Sequence, residues 1–369
     1  MTRHGPGNTL YAGATTGLYY LTDTGEFLPA PGISGECRSL LSTGDSLLAA
    51  ASAGIFQVEK NGNRLIVKDH SYVLRQSRSN PNRIWAGLMN GLASLVRSNE
   101  NDENAQWTLE QRFENISHEI MTIAEDANQD KNVDLWLGTL TNGVLKVAFS
   151  PGAPGGALQR PVVTVYDQAN GLPPGAVYVF RAAGHIMFAT PKGIFRFRDK
   201  DKTFVPDTTL GEEFAGGENG RSVFYIVEDK NKHIWFHSKS RNILAVPRPD
   251  GTYQLDKKTF LRIPLTQVND CYPDGDVAWF ASLDGLIRFD TDVKKNCDRD
   301  FQALIRKGNK RGQANFYPFE IGRKRWENIF DFFPDCFTRE RKSFPCESNC
   351  FPRESNCFPR ESKGFTREQ

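Results

Sequence analysis

The chain has 369 residues, 39% of them apolar, and a formal net charge of +2. That length allows one large or two ordinary domains with a substantial core, and the even charge balance gives no pull toward nucleic acid or an acidic membrane surface. The seven Cys are an odd number, with only Cys37, Cys271 and Cys297 among the first 300 positions, so they make no disulfide framework.

No apolar run reaches the roughly 18 residues of a membrane span. The start, Met1-Thr-Arg-His-Gly-Pro-Gly7, has no apolar secretion core, so no export address is legible in it.

In chain order, one hairpin pattern recurs seven times. Its registers are Leu10-Tyr-Ala-Gly13, Leu47-Leu-Ala-Ala50, Ile84-Trp-Ala-Gly87, Leu135-Trp-Leu-Gly138, Ile186-Met-Phe-Ala189, Ile234-Trp-Phe-His237 and Ala278-Trp-Phe-Ala281. The anchors Tyr11, Leu48, Trp85, Trp136, Met187, Trp235 and Trp279 are 37, 37, 51, 51, 48 and 44 residues apart. A mean near 45 is the spacing of four-stranded propeller blades. A turn follows each anchor, with Gly at 17, 54, 91, 143, 193 and 285 and Asn242 in the sixth copy, a residue that tolerates positive φ.

A further strand precedes several anchors, as in Met121-Thr-Ile-Ala-Glu-Asp126, Val177-Tyr-Val-Phe180, Val223-Phe-Tyr-Ile-Val-Glu-Asp229 and Val268-Asn-Asp-Cys-Tyr272. A weaker one follows, as in Asn63-Arg-Leu-Ile-Val67 and Lys202-Thr-Phe-Val205. Four strands per unit make sheets too small to stand alone, which bury their faces by stacking. Only nine residues precede Leu10, so the first unit is expected to lack its inner strand and to leave an open seam.

After residue 295 the pattern stops. Phe301-Gln-Ala-Leu-Ile-Arg306 reads as the first strand of another module and 316–321 as a second, with nothing to complete it. In the tail, Ser343-Phe-Pro-Cys-Glu-Ser-Asn349, Cys350-Phe-Pro-Arg-Glu-Ser-Asn356 and Cys357-Phe-Pro-Arg-Glu-Ser-Lys363 repeat every seven residues, and Pro in each copy blocks a coiled coil. The expected architecture is all-β. Residues 1–295 form a seven-bladed β-propeller, 296–330 the truncated start of a β-sandwich, and 331–369 a disordered low-complexity tail.

The repeats resemble the two-component regulator propeller repeat. Leu135-Trp-Leu-Gly-Thr139 with Asn142-Gly-Val-Leu-Lys146 is one copy, Ala278-Trp-Phe-Ala-Ser282 with Asp284-Gly-Leu-Ile-Arg-Phe289 another, and Asn170-Gly-Leu-Pro173 is similar to the segment that opens a blade there. The resemblance covers about residues 8–295. It implies the extracytoplasmic, periplasmic sensor region of a histidine kinase or hybrid two-component regulator, with a Tyr-rich sandwich, a membrane helix and a kinase downstream. Residues 301–306 are similar to the start of that sandwich. The expectation is therefore a truncated or frameshifted sensor fragment without membrane and kinase parts. Its implied partners are an extracellular small molecule or oligosaccharide and a second propeller in a homodimer. Nucleic acid is not a partner, and membrane is met only through the missing parts.

Candidate chemistry is thin. Asp126-Ala-Asn128-Gln-Asp130-Lys-Asn132-Val-Asp134 resembles a calcium loop, but Lys131 and Leu137 stand where an EF-hand needs Gly and Glu, so it reads as an Asx-rich turn. His233 and His237 flank Trp235 in a strand, where four residues span about 13 Å, too far to share one ion. Cys346, Cys350 and Cys357 lack paired zinc spacing. No nucleophile elbow, phosphate loop or dinucleotide fingerprint is present, and no cofactor is expected. Asp274, Asp276, Glu228 and Asp229 are turn carboxylates that no pattern brings together.

Trp85, Trp136, Trp235 and Trp279 sit at blade anchors and read as core. The ligand candidates are Glu218 and Arg221, in the loop 214–221, whose three Gly allow close backbone approach. The sequence thus points to a non-enzymatic ligand sensor. A propeller enzyme (a lyase or glycosidase working in the central channel) and a plain protein-interaction platform are the alternatives.

Overall fold

The computed structural model describes residues 1–59, 62–97, 106–127, 133–149, 160–239, 241–261, 263, 266–283, 285–291 and 293, and the backbone of 305–310 and 313–317. It divides into two units, Met1–Cys297 and Asp298–Gln369. In the second, the strands Ile305–Lys310 and Gln313–Tyr317 pair as an antiparallel hairpin. Ile305 and Arg306 of the strand expected at 301–306 lie in the first of these, while 301–304, 318–321 and the heptad tail lie outside the described residues.

In the first unit seven antiparallel sheets follow one another, six of four strands and the last of three among the described residues. The inner strands are Thr2–His4, Cys37–Thr43, Ser71–Gln76, Thr122–Ala127, Tyr178–Ala182, Ile226–Glu228 and Val268–Asp274. The anchors fall in the second strands, Thr9–Ala14, Ser46–Ala51, Arg83–Leu88, Val133–Gly138, His185–Thr190, Ile234–Ser238 and Val277–Ser282. Successive inner strands touch from blade 1 through blade 6, and the inner strand of blade 7 meets the second strand of blade 6. Arg3 of the first inner strand meets Tyr272 and Asp274 of the last. The unit is a seven-bladed β-propeller.

The packing follows from the anchors. Every second strand is flanked on both sides, so its large side chain can only lie between blades. Trp85 is fully buried and stacks on Phe149 of blade 4, with centroids 5.1 Å apart. Trp136 meets Phe188 of blade 5 edge-on at 5.0 Å, and Trp235 lies 6.3 Å from Phe280 of blade 7. Six apolar clusters fill the interfaces from blades 1 and 2 through blades 6 and 7.

The seam between blades 7 and 1 is closed differently. Blade 1 does have an inner strand: Thr2–His4 pairs with Thr9–Ala14 through a turn at Gly5, where nine residues were expected to be too few. Three residues suffice because the strand is short. Across the seam the Arg3 guanidinium bonds Asp274 at 2.8 Å, and the Arg3 amide donates to the Tyr272 hydroxyl at 3.3 Å.

The turns after the anchors need Gly for two reasons. Gly143 has φ 67°, and a Cβ there would fall 2.1 Å from the Tyr166 carbonyl oxygen. In blade 6 the positive φ falls on Lys239, at 47°, and not on Asn242. Asn242 instead takes part in a buried network, its Oδ1 accepting from the Tyr225 hydroxyl at 3.1 Å and His237 Nδ1 at 3.0 Å.

Candidate functional site

The registers give the channel two different ends. At one lie the C-terminal ends of the inner strands, and there polar bonds link neighbouring blades almost all the way round. His4 meets Ser42 at 3.0 Å, Gln76 donates to Thr43 at 2.7 Å, and Arg181 pairs with Asp126 at 3.0 Å. Glu125 of blade 4 is buried and accepts three bonds from blade 3: the amides of Arg78 and Ser79 at 3.1 and 3.0 Å, and the indole of Trp85 at 3.0 Å. Glu228 accepts the amide of Ala183 from blade 5 at 3.0 Å. The carboxylates that the sequence left unassigned thus hold turns and cations of the next blade.

The other end, where the inner strands begin and the blade-to-blade loops enter, carries a second polar cluster. Glu36 and Arg38 pair at 2.8 Å, and the Arg38 guanidinium lies 4.8 Å above the ring of Tyr72. His70 packs against the same ring at 4.5 Å. Burial first, then a hydrogen bond to Glu119, holds the Tyr72 hydroxyl above its ordinary value. Burial likewise raises Tyr178 in blade 5, which also feels Arg38 and Glu119. Four blades therefore meet at this mouth. Two atoms are spare as well: His70 Nε2 and His118 Nδ1 are buried without a hydrogen-bond partner.

Chemically, the mouth offers two phenol hydroxyls kept protonated, one partly exposed guanidinium and two acceptor carboxylates. Such a set binds hydroxylated or ionic molecules by hydrogen bonds, with a ring face for stacking. It holds no activated thiol: burial pushes Cys37 up to about 12 and Cys271 well above the ordinary range. Among the described residues, no three His, Cys, Asp or Glu side chains are grouped to hold a metal.

Deeper in, the residues paired with the seven anchors form one tier around the channel: Thr2, Leu41, Arg75, Ala124, Phe180, Val227 and Tyr272. Arg75 is the one charge in that tier. It is exposed, yet burial is the main cause lowering its guanidinium, with Asp270 of blade 7 opposing the fall. An exposed side chain in the middle of an inner strand, at the position paired with Trp85, faces the channel.

The sequence-derived candidates lie in the loop that enters blade 6 on the mouth face. Arg221 pairs with Glu213 at 2.7 Å, and Glu213 also takes Lys257. Glu218 is exposed and has no ion-pair partner among the described residues. The glycines come close to protein. A Cβ on Gly216 would meet the Phe195 ring at 2.4 Å, and one on Gly220 the Lys192 carbonyl oxygen at 2.2 Å. The loop is also bonded to blade 5 through Gly216 N to Ile194 O and Gly217 N to Lys192 O. His237 is buried beside Trp235, and His233 pairs with Asp229 at 3.2 Å. The Asx-rich turn at 128–132 lies outside the described residues. Sequence reasoning missed Arg38, Tyr72, Glu119 and Tyr178, which no single motif joins. Arg75 was findable, because aligning the inner strands on the anchors exposes a lone cation.

No family model matches the chain, and no curated protein matches it. Among solved structures it is similar to virginiamycin B lyase from Staphylococcus aureus, with a TM-score of 0.51 and 12% identity over 77% of this chain and 92% of that one. The extracellular domain of the hybrid two-component system BT4673 from B. thetaiotaomicron aligns at TM-score 0.34 and 12% identity over 77% of this chain. The aligned part spans about half of that domain, 52%. Sqt1 from Chaetomium thermophilum, bound to the N-terminus of ribosomal protein L10, aligns at 0.44 and 14% over 70% of this chain and 72% of that one. Likeness at these identities is one of fold.

Proposed function

We propose that the propeller is the ligand-sensing region of an extracytoplasmic two-component sensor, binding a small polar molecule or oligosaccharide at the channel mouth without transforming it. The observation that carries this reading is the Arg38, Tyr72, Glu119 and Tyr178 cluster, whose groups converge from four blades while the opposite end is closed by interblade bonds. The repeat motif supplies the sensor context. Both tyrosines are held protonated, which suits donors to a ligand and not bases in a reaction. Among the described residues no helix is long and apolar enough to cross a membrane.

The test is a thermal-shift screen of the chain against soluble oligosaccharides and small organic ions, repeated with Arg38→Ser. A stabilising ligand whose effect disappears in Arg38→Ser supports the reading. Robust phosphotransfer from ATP by the purified chain, or conversion of the bound ligand, would refute it.

A further inference from the structure

We infer that Arg75 anchors a second, deeper subsite in the channel that takes a small carboxylate with an apolar body. The inference rests on the channel being a ligand site and names the chemistry of its floor. A guanidinium is a rigid fork of donors that fits a carboxylate through two parallel bonds. Several other arginines of the propeller are committed: Arg3 to Asp274, Arg83 to Glu110, Arg181 to Asp126, Arg221 to Glu213. The Arg75 side chain has no ion pair or hydrogen bond among the described residues, and Asp270 acts on it without closing a salt bridge. A guanidinium on the channel wall without a side-chain partner leaves its fork of donors open to an anion.

The surroundings select the rest of the ligand. On the same tier Leu41, Phe180 and Val227 are half-buried, so each keeps surface toward the channel. An inorganic oxyanion would satisfy the guanidinium and leave those walls wet. A carboxylate carrying an aromatic or branched body would satisfy both.

The experiment titrates the full chain with benzoate, benzyl alcohol and inorganic phosphate by calorimetry, using wild type, Arg75→Gln and Arg75→Lys. Benzoate is expected to bind wild type, at least about tenfold more weakly to Arg75→Gln, and in between to Arg75→Lys, which keeps the charge but not the fork. Benzyl alcohol and phosphate are expected to bind at least about tenfold more weakly than benzoate. The urea midpoint of Arg75→Gln should equal or exceed that of wild type, since no protein contact is lost. Equal benzoate binding by Arg75→Gln, a preference for phosphate, no benzoate binding by wild type, or a marked fall in the midpoint would each overturn the assignment. An Arg38-dependent ligand at the mouth together with no benzoate binding would remove the Arg75 subsite alone and leave the sensor reading standing.

Discussion

The carboxylate of Glu125 accepts the indole N–H of Trp85 at 3.0 Å across the boundary between blades 4 and 3. Two amides of the turn after the blade 3 inner strand donate to the same carboxylate, so one side chain fixes both an anchor and a turn. Glu125→Ala would leave the buried indole donor unpaired. A loss of about 2 kcal/mol or more is expected by urea denaturation, because each buried orphan costs on the order of 1–3 kcal/mol. Glu125→Gln should lose less, keeping one acceptor oxygen.

The seam depends on polar contacts where the other interfaces use apolar clusters. Arg3 and Asp274 are partly exposed, so their pairing itself contributes little, roughly 0–1 kcal/mol. Arg3→Ala should therefore barely move the global midpoint. Hydrogen exchange is expected to quicken in Thr2–His4 and Val268–Asp274 before other inner strands. Uniform exchange across all seven blades would show that the seam is held by something else.

His185 and Asp207 meet at 2.7 Å. The hydrogen bond that the His185 ring donates to Asp207 is the main cause raising His185, and burial partly opposes it. Asp207 is fully buried; burial alone would raise it, but the bonds from His185 and Thr209 together leave it lowered. A raised His contributes below its ordinary 6.5 and loses that contribution as pH rises through the folded value. A lowered Asp contributes above 3.8 and loses its share as pH falls. The pair is therefore worth most between these two values. The stability gap between wild type and His185→Gln should be widest near pH 5 and shrink above pH 7 (about these values from the two reference points). His237, lowered by burial, has the opposite sign and is common to both proteins.

Gly216 separates the two readings of the loop 214–221. If the glycine serves packing against Phe195, Gly216→Ala should destabilise the fold by about 1–3 kcal/mol, the usual cost of overpacking. Thermal denaturation measures this. An unchanged midpoint with a lost ligand would return the loop to the binding site.

The fold was legible because the anchors are large, evenly spaced and followed by Gly turns. Trp85, Trp136, Trp235 and Trp279 are buried where their register places them. The blade 1 inner strand was not legible, since three residues show no period, and its partner is set by a hairpin at Gly5. The site was mostly illegible for another reason. Arg38, Tyr72, Glu119 and Tyr178 are brought together only by ring closure, and Glu119 belongs to an irregular loop. Glycines in 214–221 do not separate binding from packing in the sequence, because close approach of backbone to a ligand and to Phe195 calls for the same residue.

The most direct measurement mixes the intact chain with a ligand found in the screen, separates protein from solution after long incubation, and weighs the released ligand by mass spectrometry. Recovery of the ligand unchanged, in stoichiometric amount, and lost with Arg38→Ser is the expected result. Recovery of a smaller or rearranged product, formed in amounts exceeding the protein, would make the propeller an enzyme and contradict the sensor reading.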